Sequence, residues 1–198
     1  MIVEIINFSS LIIACLIMSY LYILSIQPVK RVEEYGEKGW KDCKKFRSIG
    51  GLFELVSVIN LVLWIWFPLP LVDTWIISSN IWVGIIIAIC IIIPCSIILF
   101  LGIKAAGSET LSPSIDTEMY GGIYRYIRHP QSLGEFLLFP ALSFAFNSWF
   151  LVLISSIFII IYIPIMISYE ERDLIRRFGD KYREYQKNTG ALFPKLRK

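Results

Sequence analysis

Ile81-Trp-Val-Gly-Ile-Ile-Ile-Ala-Ile-Cys-Ile-Ile-Ile-Pro94-Cys-Ser-Ile-Ile-Leu-Phe-Leu-Gly-Ile103 runs for 23 residues without one acidic or basic side chain. A helix needs about 20 apolar residues to cross the ~30 Å hydrocarbon core of a bilayer. Four further apolar stretches flank it: Ile2–Ile26, Leu52–Phe67, Leu133–Phe146 and Trp149–Tyr169. The first, third and fifth in chain order are long enough by themselves. The second reaches the length if Ile49-Gly50-Gly51 and Pro68-Leu69 are added. The fourth is short, and Asn147-Ser148 separates it from the fifth, so the two are expected to form a helical hairpin. Residues 1–27 hold no Lys or Arg, unlike the basic front end of a secretory signal. A single such stretch suits a buried helix of a soluble core, but five in a row do not.

The whole composition agrees. Charged residues are 18% and apolar residues 56% of the chain, where soluble domains carry about 25% charge. The net charge of +3 gives no case for a nucleic-acid partner. Distribution is more telling than sum. Loop 28–48 holds seven Lys and Arg, segment 104–131 holds three, and the tail after Tyr169 holds nine, which accounts for all 19. Five alternating spans put every one on the same face. The positive-inside rule then places the N-terminus outside and the C-terminus in the cytoplasm. Cys15, Cys43, Cys90 and Cys95 form no CxxC pair, and His129 is the sole histidine, so neither a metal nor a haem site is expected.

Ionisable groups at the edges of spans are costly and mark function. Glu54, Glu135, Glu170 and Glu171 all fall at the cytoplasmic ends of their spans, where interfacial solvation or pairing with Lys and Arg competes with a polar-ligand pocket. Pro94, Pro140 and Pro164 fall inside spans and are expected to kink them. Asn60 is expected to make an interhelical hydrogen bond. The segment 107–132 is rich in Gly, Pro and hydroxyl residues, hence a loop. It also carries Tyr120, Tyr124, Tyr126, Arg125, Arg128 and His129. Pro130 keeps His129 out of helical geometry and allows a helix to begin just after it, with free backbone donors at its start. Beyond Glu170, residues Leu174, Ile175, Phe178, Tyr182 and Tyr185 share one helical face to about Asn188. They form an amphipathic tail, with Gly179 its weak point. Its expected place is the membrane surface or the underside of the loop.

Gly122-Ile-Tyr124-Arg-Tyr-Ile-Arg128-His129-Pro130, an apolar helical pair, Glu170-Glu171, Phe178-Gly179 and Tyr182-Arg-Glu-Tyr185 together resemble the isoprenylcysteine carboxyl methyltransferase family and the related phospholipid N-methyltransferases. The likeness covers about residues 104–194 and points to a prokaryotic member. It implies that S-adenosylmethionine is bound through Glu109, Asp116, Thr117, Glu118, Met119, Tyr124, His129, Pro130, Gln131, Ser132 and Glu170, and that S-adenosylhomocysteine leaves as product. Ser132 stands where the family often has tyrosine. Met166 stands where eukaryotic prenylcysteine enzymes place an arginine that contacts substrate.

The expectation is thus a single all-α integral membrane domain, 1–198, with five transmembrane helices, a cytoplasmic cofactor-binding loop and a C-terminal amphipathic helix. Its cofactor half is 104–194. The expected activity is methyl transfer to a lipid-like substrate entering from the membrane, with the carboxylate of an isoprenyl-cysteine-type molecule in front and a lipid amine behind. A carboxylate acceptor is already ionised at neutral pH. An amine must lose a proton, for which Glu135, Glu171 and Tyr124 are candidates. Other readings are an NADPH-dependent isoprenoid or sterol reductase, for whose extra phosphate only Arg125 and Arg128 stand out, and a transporter or scaffold.

Overall fold

The computed structural model describes residues 1–113 and 121–195. Eight α-helices carry the described chain: α1 Ile2–Ser25, α2 Pro28–Tyr35, α3 Lys38–Leu63, α4 Ile81–Ala106, α5 Pro130–Phe136, α6 Leu138–Ala145, α7 Trp149–Phe178 and α8 Asp180–Asn188. Two short 3₁₀ turns, Gly107–Thr110 and Gly122–Arg125, flank the loop after α4.

Four helices, α1, α3, α4 and α7, are long and apolar enough to cross a membrane. The expected fourth crossing is different. It is the pair α5–α6, of seven and eight residues, broken at Leu137. The pair runs beside α4, from Gln131 against Gly102 to Phe144 against Gly84, so it follows the length of that helix in two short pieces. The seven-cation segment 28–48 is helical rather than a loop: α2 lies within it, and α3 begins at Lys38, well before its apolar run.

α4 shows why these helices suit lipid. Its buried residues are Gly84, Ala88, Cys95, Gly102 and Ala106, whereas Ile86, Ile93, Ile97 and Phe100 are exposed. Small residues face protein and large ones face outward, since lipid tails offer large apolar groups as good a home as a core does. The small face permits backbone contact with α5 and α6. A Cβ on Gly134 would meet the Cys95 carbonyl at 2.6 Å and the Leu99 nitrogen at 2.7 Å; one on Gly84 would run into the Phe144 carbonyl. Gly102 meets Gln131 and Pro130 in the same way, which fixes the first turn of α5 against the end of α4.

α1 and α3 pair through buried polar groups. Asn7 donates to the Asn60 carbonyl and Asn60 donates to the Ser10 hydroxyl, each at 3.1 Å, so Asn60 makes the expected interhelical bonds. Between these units lies the apolar core, including Leu11, Met18, Leu61, Phe136, Phe139, Ile159, Tyr162 and Met166. At the far end Asn147, at φ 55°, makes the tight turn before α7, and Ser148 caps that helix by accepting from Leu151 N–H. Asparagine tolerates this left-handed geometry better than most residues. α7 continues past the apolar layer to Phe178. Gly179, at φ 59°, then turns the chain into α8.

Candidate functional site

His129 is the residue just before α5, with φ −124° and ψ 60°, and Pro130 opens the helix. The imidazole lies between the two glutamates at the end of α7. Nδ1 donates to Glu170 Oε2 at 2.8 Å and Nε2 donates to Glu171 Oε1 at 3.0 Å, with the ring side chain only 3% exposed. Burial disfavours a charged ring, but the charge and hydrogen bond of Glu170, followed by those of Glu171, outweigh it and raise the pKa to about 9. His129 is therefore an imidazolium at neutral pH, an ionic clasp between α5 and α7.

Glu171 is fully engaged. It accepts from Arg128 Nε at 2.7 Å and Gln186 Nε2 at 2.8 Å as well as from His129. Arg128 also donates to the carbonyls of Gln186 and Thr189. Backbone bonds run alongside: Arg128 N–H and His129 N–H donate to the Gly190 and Ala191 carbonyls at 2.9 and 3.0 Å. The Tyr185 hydroxyl donates to the Tyr124 carbonyl at 2.5 Å. The amphipathic tail thus takes the second of its expected places, beneath the loop.

On the other wall, Gln131 Nε2 reaches the Tyr124 hydroxyl at 2.9 Å and the Thr110 hydroxyl at 3.1 Å. Burial pushes the Tyr124 hydroxyl above its ordinary pKa, the donation from Gln131 offsetting this only in part. Arg47 of α3 donates to the carbonyls of Glu109 and Thr110 at 3.0 and 2.7 Å, and to that of Ser25 at 3.3 Å. Arg177 of α7 pairs with Glu109 at 2.5 Å, both side chains 5% exposed or less. Asp173 accepts from Val29 N–H and Lys30 N–H and so holds the start of α2.

These groups surround one cavity of about 700 Å³, open solvent at its mouth included. Of the residues implied for the cofactor, Glu109, Tyr124, His129, Gln131, Ser132 and Glu170 line it. Pro130 is buried at the start of α5 but is not among the lining residues. Asp116, Thr117, Glu118 and Met119 lie outside the described residues. Among the proton-acceptor candidates, Tyr124 lines the cavity. Glu171 sits beside it, held by its three donors. Glu135 lies one turn deeper on α5, and its carboxyl hydrogen-bonds that of Glu54 on α3.

Sequence reasoning missed Tyr22, Ile26, Pro28, Arg47, Asp173, Leu174 and Arg177, all of which line the cavity. A signal existed for three of them. Glu170, Asp173, Leu174 and Arg177 follow the i, i+3, i+4, i+7 spacing of one helical face. Arg47 lies seven residues before Glu54 on the same helix and so shares its face, which is visible only once α3 is known to start at Lys38.

The family model described as phospholipid methyltransferase matches residues 79–181, just over half of the chain. A methanethiol S-methyltransferase of Pseudomonas deceptionensis is 30% identical over 158 residues, covering 71% of this chain and 56% of that protein. Methanethiol S-methyltransferase 2 of Bradyrhizobium diazoefficiens is 27% identical over 151 residues, 70% of this chain and 56% of its own length. One from Mycobacterium tuberculosis is 35% identical over 72 residues, 36% of this chain and 28% of its own. The chain spans about half the length of the first two curated relatives. No solved structure matches significantly. The matched segment runs from just before α4 to the start of α8 and so carries His129, Glu170 and Glu171 together; the chain belongs to the phospholipid methyltransferase family, a family of membrane methyltransferases.

Proposed function

We propose that the chain is an S-adenosylmethionine-dependent methyltransferase whose cofactor occupies the cavity beside His129 and Glu170, and whose acceptor is a small thiol. The observation that carries the reading is that the cavity is lined by both the family-matched segment and the N-terminal helices. Its donor set fits the group. Carboxylates and tyrosine suit the sulfonium and ammonium, Gln131 and Ser132 suit neutral polar atoms, and Arg47 and Arg177 suit the carboxylate end. Bound there, S-adenosylmethionine would supply an electrophilic methyl group.

The relatives named above support a thiol as acceptor. The isoprenyl-cysteine carboxylate is less well served. Met166, where prenylcysteine enzymes place an arginine, is fully buried in the apolar core and brings no cation. A lipid amine stays as the second reading because the family's own description is of phospholipid methylation. The cation-bearing face is taken as cytoplasmic, with the N-terminus outside.

A thiol, with an ordinary pKa near 8.5, must lose a proton before it attacks. Glu171 is held by three donors, and Tyr124 is driven further from ionisation by burial. Glu135, one turn beyond the cavity lining on α5, shares a hydrogen bond with the Glu54 carboxyl and lies in the field of Arg47; it is the group assigned the proton-acceptor role, at its carboxylate oxygen. The remaining work of the chain is alignment and exclusion of water, worth up to about 7–11 kcal/mol in favourable cases. Calorimetry of the purified protein should show binding of S-adenosylhomocysteine and none of NADPH. Labelled-methyl transfer should then go to methanethiol faster than to a prenylcysteine or to phosphatidylethanolamine. Binding of NADPH alone would overturn the methyltransferase reading, and a preference for the amine would overturn the thiol.

A further inference from the structure

A second cleft opens between the α1–α2 junction and α7, and Asp173 borders both it and the first cavity. It offers about 320 Å³, open solvent included, and is lined by Gln27, Lys30, Tyr169, Arg172, Asp173 and Arg176. Asp173 accepts from the backbone of α2 and supplies one carboxylate against the three cations Lys30, Arg172 and Arg176. Among the described residues, Lys30 and Arg176 make long surface pairs, 3.9 Å to Glu34 and 3.5 Å to Glu33, with all four side chains more than 40% exposed. Such pairs contribute about 0–1 kcal/mol and yield readily to a better anion. The Arg172 guanidinium sits 5.8 Å from the Tyr169 ring and has no carboxylate within ion-pair distance among the described residues.

The same face of α7 continues into the apolar layer. Ile157, Ile161, Ile165, Tyr169, Arg172 and Arg176 are spaced by three or four residues and fall on one stripe about 120° wide. The isoleucines are 49%, 58% and 44% exposed, so each leaves about half of its surface uncovered by the described residues. Along the helix the stripe reads apolar, aromatic, cationic. A phospholipid reads the same way from acyl chain through interface to phosphate, and tyrosine belongs at the middle level.

We propose that this cleft is a binding site for an anionic phospholipid, its phosphate held by Arg172, Arg176 and Lys30 and its chains lying along the isoleucine stripe of α7. The site is separate from the methyl-transfer cavity, and the proposal does not depend on which acceptor that cavity serves.

Native mass spectrometry of the full chain in detergent, titrated with dioleoyl phosphatidylglycerol, phosphatidylcholine or inorganic phosphate, tests it. The wild type should retain one phosphatidylglycerol in preference to phosphatidylcholine. Replacing two cations (Arg172→Gln with Arg176→Gln) should weaken that binding about thirtyfold, from roughly 1 kcal/mol for each basic residue at an anionic surface. Lys104→Gln, at the end of α4, should not. Thermal unfolding of the double variant checks its fold, and Arg172→Lys should restore part of the affinity in the Arg176→Gln background. Equal retention of both lipids, equal affinity in wild type and double variant, or displacement of the lipid by inorganic phosphate at equal concentration would overturn the proposal.

Discussion

Glu170→Gln is the substitution whose consequence can be read from a single resonance, because His129 is the sole histidine in the chain. In the wild type the ring is expected to titrate at about 9 rather than at 6.5. At about 1.36 kcal/mol per pH unit, the gap corresponds to roughly 3 kcal/mol favouring the charged ring. The ring is buried, so solvent screening takes little from this figure. Burial by itself would lower the pKa; the charge and hydrogen bond of Glu170 are the two largest opposing influences, ahead of Glu171. Removing the Glu170 charge should therefore bring the midpoint down by more than about one pH unit. The sign for stability follows. A pKa raised on folding stabilises fully below the unfolded value of 6.5, and the contribution disappears as pH climbs through about 9. Thermal unfolding in detergent should show wild-type stability falling between those limits, with a smaller fall in Glu170→Gln. Following the imidazole carbon-bound proton by NMR from pH 5 to 11 measures the midpoint directly. A wild-type midpoint at or below 6.5, or the same midpoint in both proteins, would refute the ionic clasp.

Other outcomes follow from the same contacts. Gly134→Ala should lower stability by about 1–3 kcal/mol, since the added methyl meets the α4 backbone and not a movable side chain; a melting curve like that of the wild type would show that the helices are not in backbone contact. Arg47→Met should weaken S-adenosylhomocysteine binding about tenfold by releasing the Glu109 and Thr110 carbonyls, at roughly 1.5–3 kcal/mol for charged hydrogen bonds. Arg47→Lys should recover part of the loss, and calorimetry reads both. Glu135→Gln should cut methyl transfer to an alkanethiol by about 10²–10⁴ while sparing an aromatic thiol that is already ionised. Equal losses with both thiols would remove the proton-acceptor role.

The membrane class of the fold was legible because α4 and α7 carry their hydropathy in unbroken runs. The run Leu133–Phe146 reads as one apolar helix because hydropathy measures apolarity without detecting a helix break, and Leu137, where α5 gives way to α6, is as apolar as its neighbours. Helix α3 was under-read for the opposite reason. Its first turns hold Lys38, Lys41, Lys44, Lys45 and Arg47, which a hydropathy reading assigns to a loop although they are sound helix formers. His129 and Glu170 were readable as partners, since the order and spacing of their motifs carried them. Arg47 and Tyr22 were not. They reach the cavity by tertiary packing of α1 and α3, outside the segment that bears the family pattern.

The pairing of residues 127–129 with 190–191 has a consequence for how the protein is made. Roughly sixty residues of synthesis separate the two segments, and the whole of α7 must be inserted between them. During that interval the donors of Arg128 and His129 have no backbone acceptors, and the guanidinium that steadies Glu171 lacks the Thr189 carbonyl. The ribosome therefore delivers the membrane helices first and the latch last. A nascent chain halted before residue 190 would hold its membrane helices yet lack the backbone acceptors that fasten Arg128 and His129.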